Sequence, residues 1–87
     1  MEKDSFTPSI RMVEAYDIST DELVYEERVG DISIKDLKKI FGQQEDDPLY
    51  FNVYEINESN VDFFKNKVHR KIELNKYAYY LACYRSY

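Results

Sequence analysis

Hydrophobic and polar residues alternate along four stretches of the chain, with the period of two that is typical of β-strands. The first two stretches are residues 10–18 and 23–29, and the short polar segment between them predicts a β-hairpin. The third stretch, 49–56, reads LYFNVYEI and is apolar or aromatic on both faces, and the fourth is 77–85. We therefore expect the third strand to have helices on one side and half-exposed tyrosines on the other.

Two further segments carry the signals of short helices. In 31–42, Ser33 is placed to cap a helix with Asp36 three residues later, and Gly42 fits the stop position. The second segment, 58–68, has apolar residues on one helical stripe. Helices this short are unstable alone, so they must pack on the sheet. The sequence therefore predicts an α+β fold in the order β-β-α-β-α-β, with a small four-stranded antiparallel β-sheet and two short helices packed on one face.

The length of 87 residues allows one hydrophobic core and hence one domain. Residues 1–9 are polar and include Pro8, which cannot donate a backbone hydrogen bond to a sheet. We expect 1–9 to form a flexible N-terminal lead-in and 10–87 to form a single domain. No linker, internal repeat or low-complexity run interrupts that domain.

The charge of the chain is negative and unevenly distributed. The formal net charge is −5, and residues 43–64 hold six acidic residues and no Lys or Arg, whereas residues 65–87 hold six basic residues. Direct nucleic-acid binding is disfavoured, because it needs a surplus of Lys and Arg. An acidic surface instead favours a basic protein partner. The nine tyrosines fit such a role, since their amphipathic rings suit binding surfaces as well as small cores.

Residues that could carry catalysis are scarce. The single histidine and the single cysteine, His69 and Cys83, lie on different predicted elements, and no motif pairs either with an activating neighbour. We therefore predict that the protein is not an enzyme and has no catalytic residue, cofactor or metal site. The acidic run 45–47 leaves three interpretations: a weak divalent-cation site, a solvated turn, or part of an acidic protein-binding surface.

The sequence also bears on location. A lone cysteine suits a reducing compartment, and no apolar run approaches the roughly 20 residues that span a membrane. The N-terminus lacks the apolar core of a signal peptide. We expect a cytoplasmic protein that does not bind membranes.

Several segments occur in the order seen in a known family. They are the hairpin YDISTDELVYEE (16–27), the strand YFNV (50–53), the stretch KIEL (71–74) and the final YLACYR (80–85). In this order they resemble the immunity proteins of colicin E3 and cloacin, and also short immunity proteins encoded beside contact-dependent growth inhibition toxins. The resemblance covers most of residues 10–86. In the third strand, that family has Cys and Asp where this chain has Tyr50 and Asn52.

The resemblance implies an antitoxin, or immunity protein, that binds a cognate basic nuclease toxin in a one-to-one complex and inhibits it by occlusion, the toxin being a ribonuclease domain. An alternative is an acidic phage-type inhibitor or nucleic-acid mimic that binds a basic DNA- or RNA-binding protein. In the first case acidic side chains pair with Lys and Arg of the toxin, and one face of a regular third strand supplies a less charged centre. The candidate partner-binding residues are Asp17, Glu22, Glu26, Asp46, Asp47, Tyr50, Asn52 and Tyr54.

Overall fold

The computed structural model describes residues 9–85, which form four strands and two helices in the predicted order. The elements are β1 (Ser9–Asp17), β2 (Leu23–Val29), α1 (Ile34–Phe41), β3 (Tyr54–Ile56), α2 (Val61–Lys65) and β4 (Tyr77–Arg85). The strands form one antiparallel sheet in the order β2-β1-β4-β3. This architecture confirms the predicted α+β class. Most of the predicted N-terminal lead-in, residues 1–8, lies outside the described residues.

The two inner strands are β1 and β4, and β1 pairs along its whole length with β4. On its other side it pairs with β2 through the predicted hairpin, where the Asp17 backbone N–H donates to the Glu22 carbonyl at 2.9 Å. The Asp17 carboxylate accepts hydrogen bonds from the backbone N–H groups of Ser19 and Thr20, at 2.8 and 3.2 Å. These local bonds are those expected of a turn that begins with aspartate.

Both helices contribute to a core on one face of the sheet, which we call the helix face. Residues paired across antiparallel strands point to the same side, and Val13 of β1 is paired with Leu81 of β4. Both side chains are fully buried, and they belong to one hydrophobic cluster with Leu37 of α1 and Phe64 of α2. Removing these apolar side chains from water is what holds two such short helices in place.

The ends of α1 are formed as the sequence predicts. The Ser33 side chain accepts a hydrogen bond from the backbone N–H of Asp36 at 3.1 Å, which satisfies one of the free donors of the first turn. At the other end Gly42 has φ of +79°, and its N–H donates to the Lys38 carbonyl at 2.8 Å. A positive φ is strained for residues with a Cβ, so glycine is required here.

The predicted third strand is the main error of the sequence-based fold. Only Tyr54–Ile56 is a strand, and residues 49–53 are an irregular loop. Tyr50 has φ of +59°, which breaks the extended backbone on which alternation depends. Four backbone groups of this loop bond to the side chains of Arg11 and Asp47, and the Tyr50 N–H donates to the Asp47 carbonyl at 3.0 Å.

Candidate functional site

The loop 49–53 is organised by the carboxylate of Asp47. Its two oxygens accept hydrogen bonds from the backbone N–H groups of Phe51 and Asn52, both at 2.9 Å, and from the Tyr54 hydroxyl at 2.5 Å. Burial alone would raise the pKa of Asp47, but the hydrogen bonds from Tyr54, Asn52 and Phe51 outweigh it and lower the pKa below its usual value. Asp47 is only 9% exposed. It therefore stabilises the fold and is not presented to a partner, contrary to the sequence-based prediction.

Arg11 of β1 completes this network from the helix face. Its guanidinium donates to the backbone carbonyls of Tyr50 and Leu49, the latter at 3.0 Å, and its charge contributes to the low pKa of Asp47. The side chain is 7% exposed. A buried guanidinium needs several acceptors, and the loop folds back so that its carbonyls supply them. We call Arg11, Asp47, Tyr50 and Tyr54 the loop network.

The predicted recognition face of Tyr50, Asn52 and Tyr54 does not exist. The Tyr50 ring is 2% exposed, and its hydroxyl donates to the Gly42 carbonyl at 2.5 Å. Tyr54 is half-buried on the helix face, where its ring stacks on Phe41 with 5.0 Å between centroids. Of the three, only Asn52 is exposed. The prediction assumed a regular strand, and the hydrogen bonds that the loop donates to Asp47 and accepts from Arg11 prevent one.

The predicted acidic residues fall into two groups that do not converge. Asp17 and Glu22 close the hairpin at one end of β1, while Asp46 lies three residues before the loop 49–53, which contacts Arg11 near the other end. Arg11 and Asp17 are six positions apart in β1, or about 20 Å at the usual rise of a strand. Asp46 and the hairpin are therefore not parts of one compact acidic surface.

A different surface is left bare by the helices. The side of the sheet opposite the helix face carries residues from all four strands, and we call it the open face. Its residues are Ile10, Met12, Glu14, Tyr16, Leu23, Glu26, Arg28, Glu55, Ala78, Tyr80, Ala82 and Tyr84. Of the predicted partner-binding residues, only Glu26 lies on it.

Three carboxylates of the open face stand in one row across the sheet. Glu14 of β1 is directly opposite Glu26 of β2 on one side and Tyr80 of β4 on the other, and Tyr80 is opposite Glu55 of β3. Neighbouring strands lie about 4.8 Å apart, so the row spans about 14 Å. Like charges directly opposite each other destabilise a sheet. We call Glu26, Glu14, Tyr80 and Glu55 the glutamate row.

Glu14, at the centre of the open face, is 5% exposed. Its carboxylate accepts hydrogen bonds from two neutral donors, the Tyr16 hydroxyl at 3.2 Å and the Tyr84 hydroxyl. Among the described residues, no Lys or Arg forms an ion pair with Glu14 or Glu26. Buried charges in proteins are usually paired with an opposite charge. Glu14 is therefore a buried carboxyl group for which the described part of the fold supplies no cation.

Glu14 raises the pKa of the two tyrosines that donate hydrogen bonds to it. The hydrogen bond to Glu14, together with burial, raises the pKa of Tyr84 to about 12. The pKa of Tyr16 is raised first by burial and then by its hydrogen bond to Glu14. The charge of Glu26 contributes to both shifts, so both carboxylates act on the same two hydroxyls.

Aromatic rings flank the two carboxylates. Tyr16 and Tyr80 meet edge to face with 5.7 Å between ring centroids, and Tyr84 is 47% exposed. In the next row, Met12 of β1 is opposite the small residue Ala82 of β4. The Tyr84 side chain extends past Ala82, and its hydroxyl donates a hydrogen bond to Glu14. The centre of the open face thus combines negative charge with accessible π-surfaces, which is a suitable environment for a cation.

The basic residues that follow α2 contact the helix side of the molecule. The Arg70 guanidinium lies 4.2 Å from the centroid of the Tyr25 ring, and the backbone N–H of His69 donates to the Glu27 carboxylate at 2.6 Å. Tyr25 and Glu27 are opposite Ala15 and Val13 in the register, so they belong to the helix face. Because these two basic residues contact the helix face, they do not neutralise the carboxylates of the open face.

Sequence reasoning missed Glu14, Tyr16, Tyr80, Tyr84 and Glu55. The alternation in β1 separates the two faces but does not say which face the helices cover. Counting back from the hairpin turn, where Tyr16 is opposite Leu23, would pair Glu14 with Tyr25, but a register shift between Ala15 and Tyr16 brings Glu14 opposite Glu26. Two acidic residues opposite each other in neighbouring strands are unfavourable for folding alone and indicate a site.

Other chemistry is sparse in the described part of the chain. Among residues 9–85, no group of three or more His, Cys, Asp or Glu side chains is arranged to hold a metal ion. His69 is exposed and bonded to Glu27, and Cys83 is a partly buried free thiol. Neither helix in this range has the length and apolar character needed to cross a membrane.

The fold and the open face together define a class: a small α+β domain with one helix-covered face and one bare face that is acidic and rich in tyrosine. The chain belongs to the family of the domain of unknown function DUF7683, whose profile matches residues 10–82. No curated protein and no solved structure has significant similarity to the chain.

Proposed function

We propose that the protein is an immunity protein that binds a basic nuclease toxin in the cytoplasm and neutralises it by stoichiometric occlusion. The observation that carries this proposal is the glutamate row on a sheet face that neither α1 nor α2 covers. The order of segments shared with colicin-type and contact-dependent inhibition immunity proteins, described above, is a second and weaker support.

The chemistry of the open face suits a nuclease as the partner. A protein that binds RNA or DNA presents Lys and Arg to phosphates and aromatic or planar side chains to bases. The open face presents carboxylates and tyrosine rings, which are complementary to both kinds of group. An acidic protein seated on such a cleft competes with the nucleic acid without any catalytic step.

The proposed complex has a charged row flanked by rings. Glu26 and Glu55 are exposed at the two edges of the glutamate row, where they steer a basic partner by long-range attraction. Tyr80 and Tyr84 lie nearer the middle and supply apolar contact area at low conformational cost. Asp17 and Glu22 border β1 and β2 at the hairpin end and extend the acidic field.

The cheapest test uses the gene that lies immediately upstream. If that gene encodes a protein whose C-terminal domain is a basic toxin, coexpression of the two chains should rescue growth and yield a one-to-one complex on gel filtration. Glu26→Lys should weaken the rescue because it reverses a charge on the open face, whereas Lys38→Glu on α1 serves as a charge-reversal control away from that face. No rescue and no complex would contradict the proposal.

The alternative inhibitor makes a different prediction about the same partner assay. A nucleic-acid mimic acting on a DNA- or RNA-binding protein is expected beside phage-type genes and should be displaced from its target by added nucleic acid of any sequence. Finding such neighbours, with no toxin gene adjacent, would favour the alternative over the immunity role.

A further inference from the structure

The most unusual feature of the open face is that two carboxylates meet with no cation among the described residues. Glu14 and Glu26 are directly opposite each other on β1 and β2, and both affect the hydroxyls of Tyr16 and Tyr84. The only donors to Glu14 in the described contacts are those neutral hydroxyls. Arg28 lies on the same face but forms no ion pair with either carboxylate in the described part of the chain.

We infer that Glu14 and Glu26, with the rings of Tyr80 and Tyr84, form a seat for one arginine side chain of a basic protein partner. The inference rests on the proposed function, because it names the chemical group that this partner inserts. The seat spans β2, β1 and β4, and Glu55, at the edge of the sheet on β3, is outside it.

The geometry favours arginine over lysine. A guanidinium is planar and carries five N–H donors, so it can bind both carboxylates while its flat side stacks on a tyrosine ring. An ammonium is a compact point charge that is more strongly hydrated, and it cannot make both contacts at once. Opposite side chains in a sheet are about 5 Å apart at Cβ, a separation that one guanidinium can bridge.

Tyr84 determines how the arginine enters. About half of this side chain is exposed, and its hydroxyl is one of the two donors to Glu14. An incoming guanidinium replaces that hydroxyl as donor, the hydroxyl returns to solvent, and the ring remains as a stacking surface. Tyr16 keeps its own hydrogen bond to Glu14, so the carboxylate stays in place throughout.

The test uses a small probe and the whole chain, so that it does not depend on knowing the partner. The capped tripeptide acetyl-Gly-Arg-Gly-amide is titrated into the protein at low salt, with the lysine peptide acetyl-Gly-Lys-Gly-amide in parallel. The methyl signals of Met12 and Ala82, which lie in the row next to Glu14, report binding by NMR. We expect saturable shifts with the arginine peptide and at least about threefold weaker binding of the lysine peptide.

Two matched glutamates separate a specific seat from general attraction. Glu26 and Glu55 are both exposed on the open face, but only Glu26 is opposite Glu14. Glu26→Gln and Glu14→Gln should each weaken the arginine peptide at least about fivefold, whereas Glu55→Gln should change it less than about twofold. Equal losses in all three variants, or equal binding of the two peptides, would overturn the inference. Glu26→Gln changes only an exposed side chain, so this arm does not depend on the stability of the Glu14 variant.

Failure of the inference can be distinguished from failure of the proposed function. If a toxin binds wild type and Glu14→Gln equally and the arginine peptide shows no selectivity, the immunity role stands and the arginine seat is wrong. If the peptide binds selectively but no neighbouring toxin binds, the seat stands and the immunity role is wrong.

Discussion

Two charged side chains of β1, Arg11 and Glu14, are buried three residues apart on opposite faces of the sheet, and they have opposite surroundings. Arg11 donates to two backbone carbonyls and lies near the negative charge of Asp47. Glu14 faces the like charge of Glu26 and accepts only from tyrosine hydroxyls in the described contacts. The first arrangement completes the fold, whereas the second leaves a charge that an external cation can satisfy.

The comparison predicts the largest loss of stability for Arg11→Met. The variant keeps the apolar stem but leaves the carbonyls of Leu49 and Tyr50 without their donor and removes the positive charge near Asp47. We expect the free energy of unfolding to fall by about 3 kcal/mol, measured by urea denaturation. The control is Arg28→Met on the open face, which should change it by less than about 0.5 kcal/mol. Equal losses of stability in the two variants would contradict the claim that Arg11 stabilises the fold more than an arginine of the open face does.

The same carboxylate-to-amide change should lower the free energy of unfolding by different amounts on the two faces of the sheet. In Asp47→Asn, an NH2 group replaces one of the two carboxylate oxygens that accept hydrogen bonds from Phe51, Asn52 and Tyr54. The backbone N–H groups of Phe51 and Asn52 can only donate, so they cannot accept a hydrogen bond from this NH2 group. We expect a loss of about 2 kcal/mol. In Glu14→Gln, the donors are rotatable hydroxyls that can also accept, and repulsion from Glu26 disappears, so we expect a loss below about 1 kcal/mol or a gain. A larger loss for Glu14→Gln than for Asp47→Asn in urea denaturation would contradict this account.

The two carboxylates should also control the ionisation of different tyrosines. The pKa of Tyr84 is raised to about 12 by its hydrogen bond to Glu14, and that of Tyr54 to about 12 by burial and then by Asp47. A tyrosine pKa raised in the folded state stabilises the fold below the usual value near 10, and this contribution is lost as the pH rises to about 12.

Phenolate absorbance during an alkaline titration measures these values. Glu14→Gln should lower the pKa of Tyr84 and that of Tyr16, and both changes should vanish in the Tyr16→Phe, Tyr84→Phe background. Asp47→Asn should lower the pKa of Tyr54, and this change should survive in that background. If the double background abolished the Asp47→Asn change as well, the two networks would not be independent.

At low pH, the stability that Asp47 contributes is lost as the pH falls, whereas the tyrosine contributions are lost as the pH rises. The pKa of Asp47 lies below its usual value near 3.8, so its contribution is complete above that value and is lost as the pH falls through the lower, folded-state pKa. Acid unfolding followed by circular dichroism should therefore show a shallower loss of stability below about pH 4 in Asp47→Asn than in wild type, from a lower starting stability. Identical acid slopes in the two proteins would exclude Asp47 as a source of acid sensitivity.

The smallest effect is predicted for Asp46→Lys. Asp46 is exposed in the loop that packs on the helix face, and salt screens exposed charges beyond about 8 Å at physiological ionic strength. The association rate with the proposed toxin should change less than about twofold, whereas Glu26→Lys should slow it and change its salt dependence. Stopped-flow mixing at two salt concentrations compares them, and an equal effect of Asp46→Lys would return the loop to the binding surface.

Most of the fold could be predicted from the sequence because its signals are local. The hairpin turn depends on Asp17, the helix start on Ser33 and the helix end on Gly42, and each acts within a few residues. The loop 49–53 could not be predicted, because Arg11 reaches Tyr50 across 39 residues of sequence. The alternation of side chains in the sequence is the same whether or not such a long-range hydrogen bond forms, so it could not reveal the bond.

The candidate site was less predictable than the fold for a related reason. Glu26 was found because acidic residues on a hairpin are visible in the sequence. Glu14 was missed because its role depends on which side of β1 the helices cover, and that choice is made by the packing of Leu37 and Phe64. Long-range packing therefore decides which face becomes a site.

The most direct test of the central claim, that the open face binds the partner, uses the three alanines of the chain as reporters. Ala78 and Ala82 lie on the open face, and Ala15 is fully buried on the helix face. Methyl-labelled protein is mixed with an inactive form of the toxin domain, and the three methyl signals are compared by NMR. The account predicts that the Ala78 and Ala82 signals shift while that of Ala15 stays in place. A shift of Ala15 with no change in Ala78 and Ala82 would contradict it.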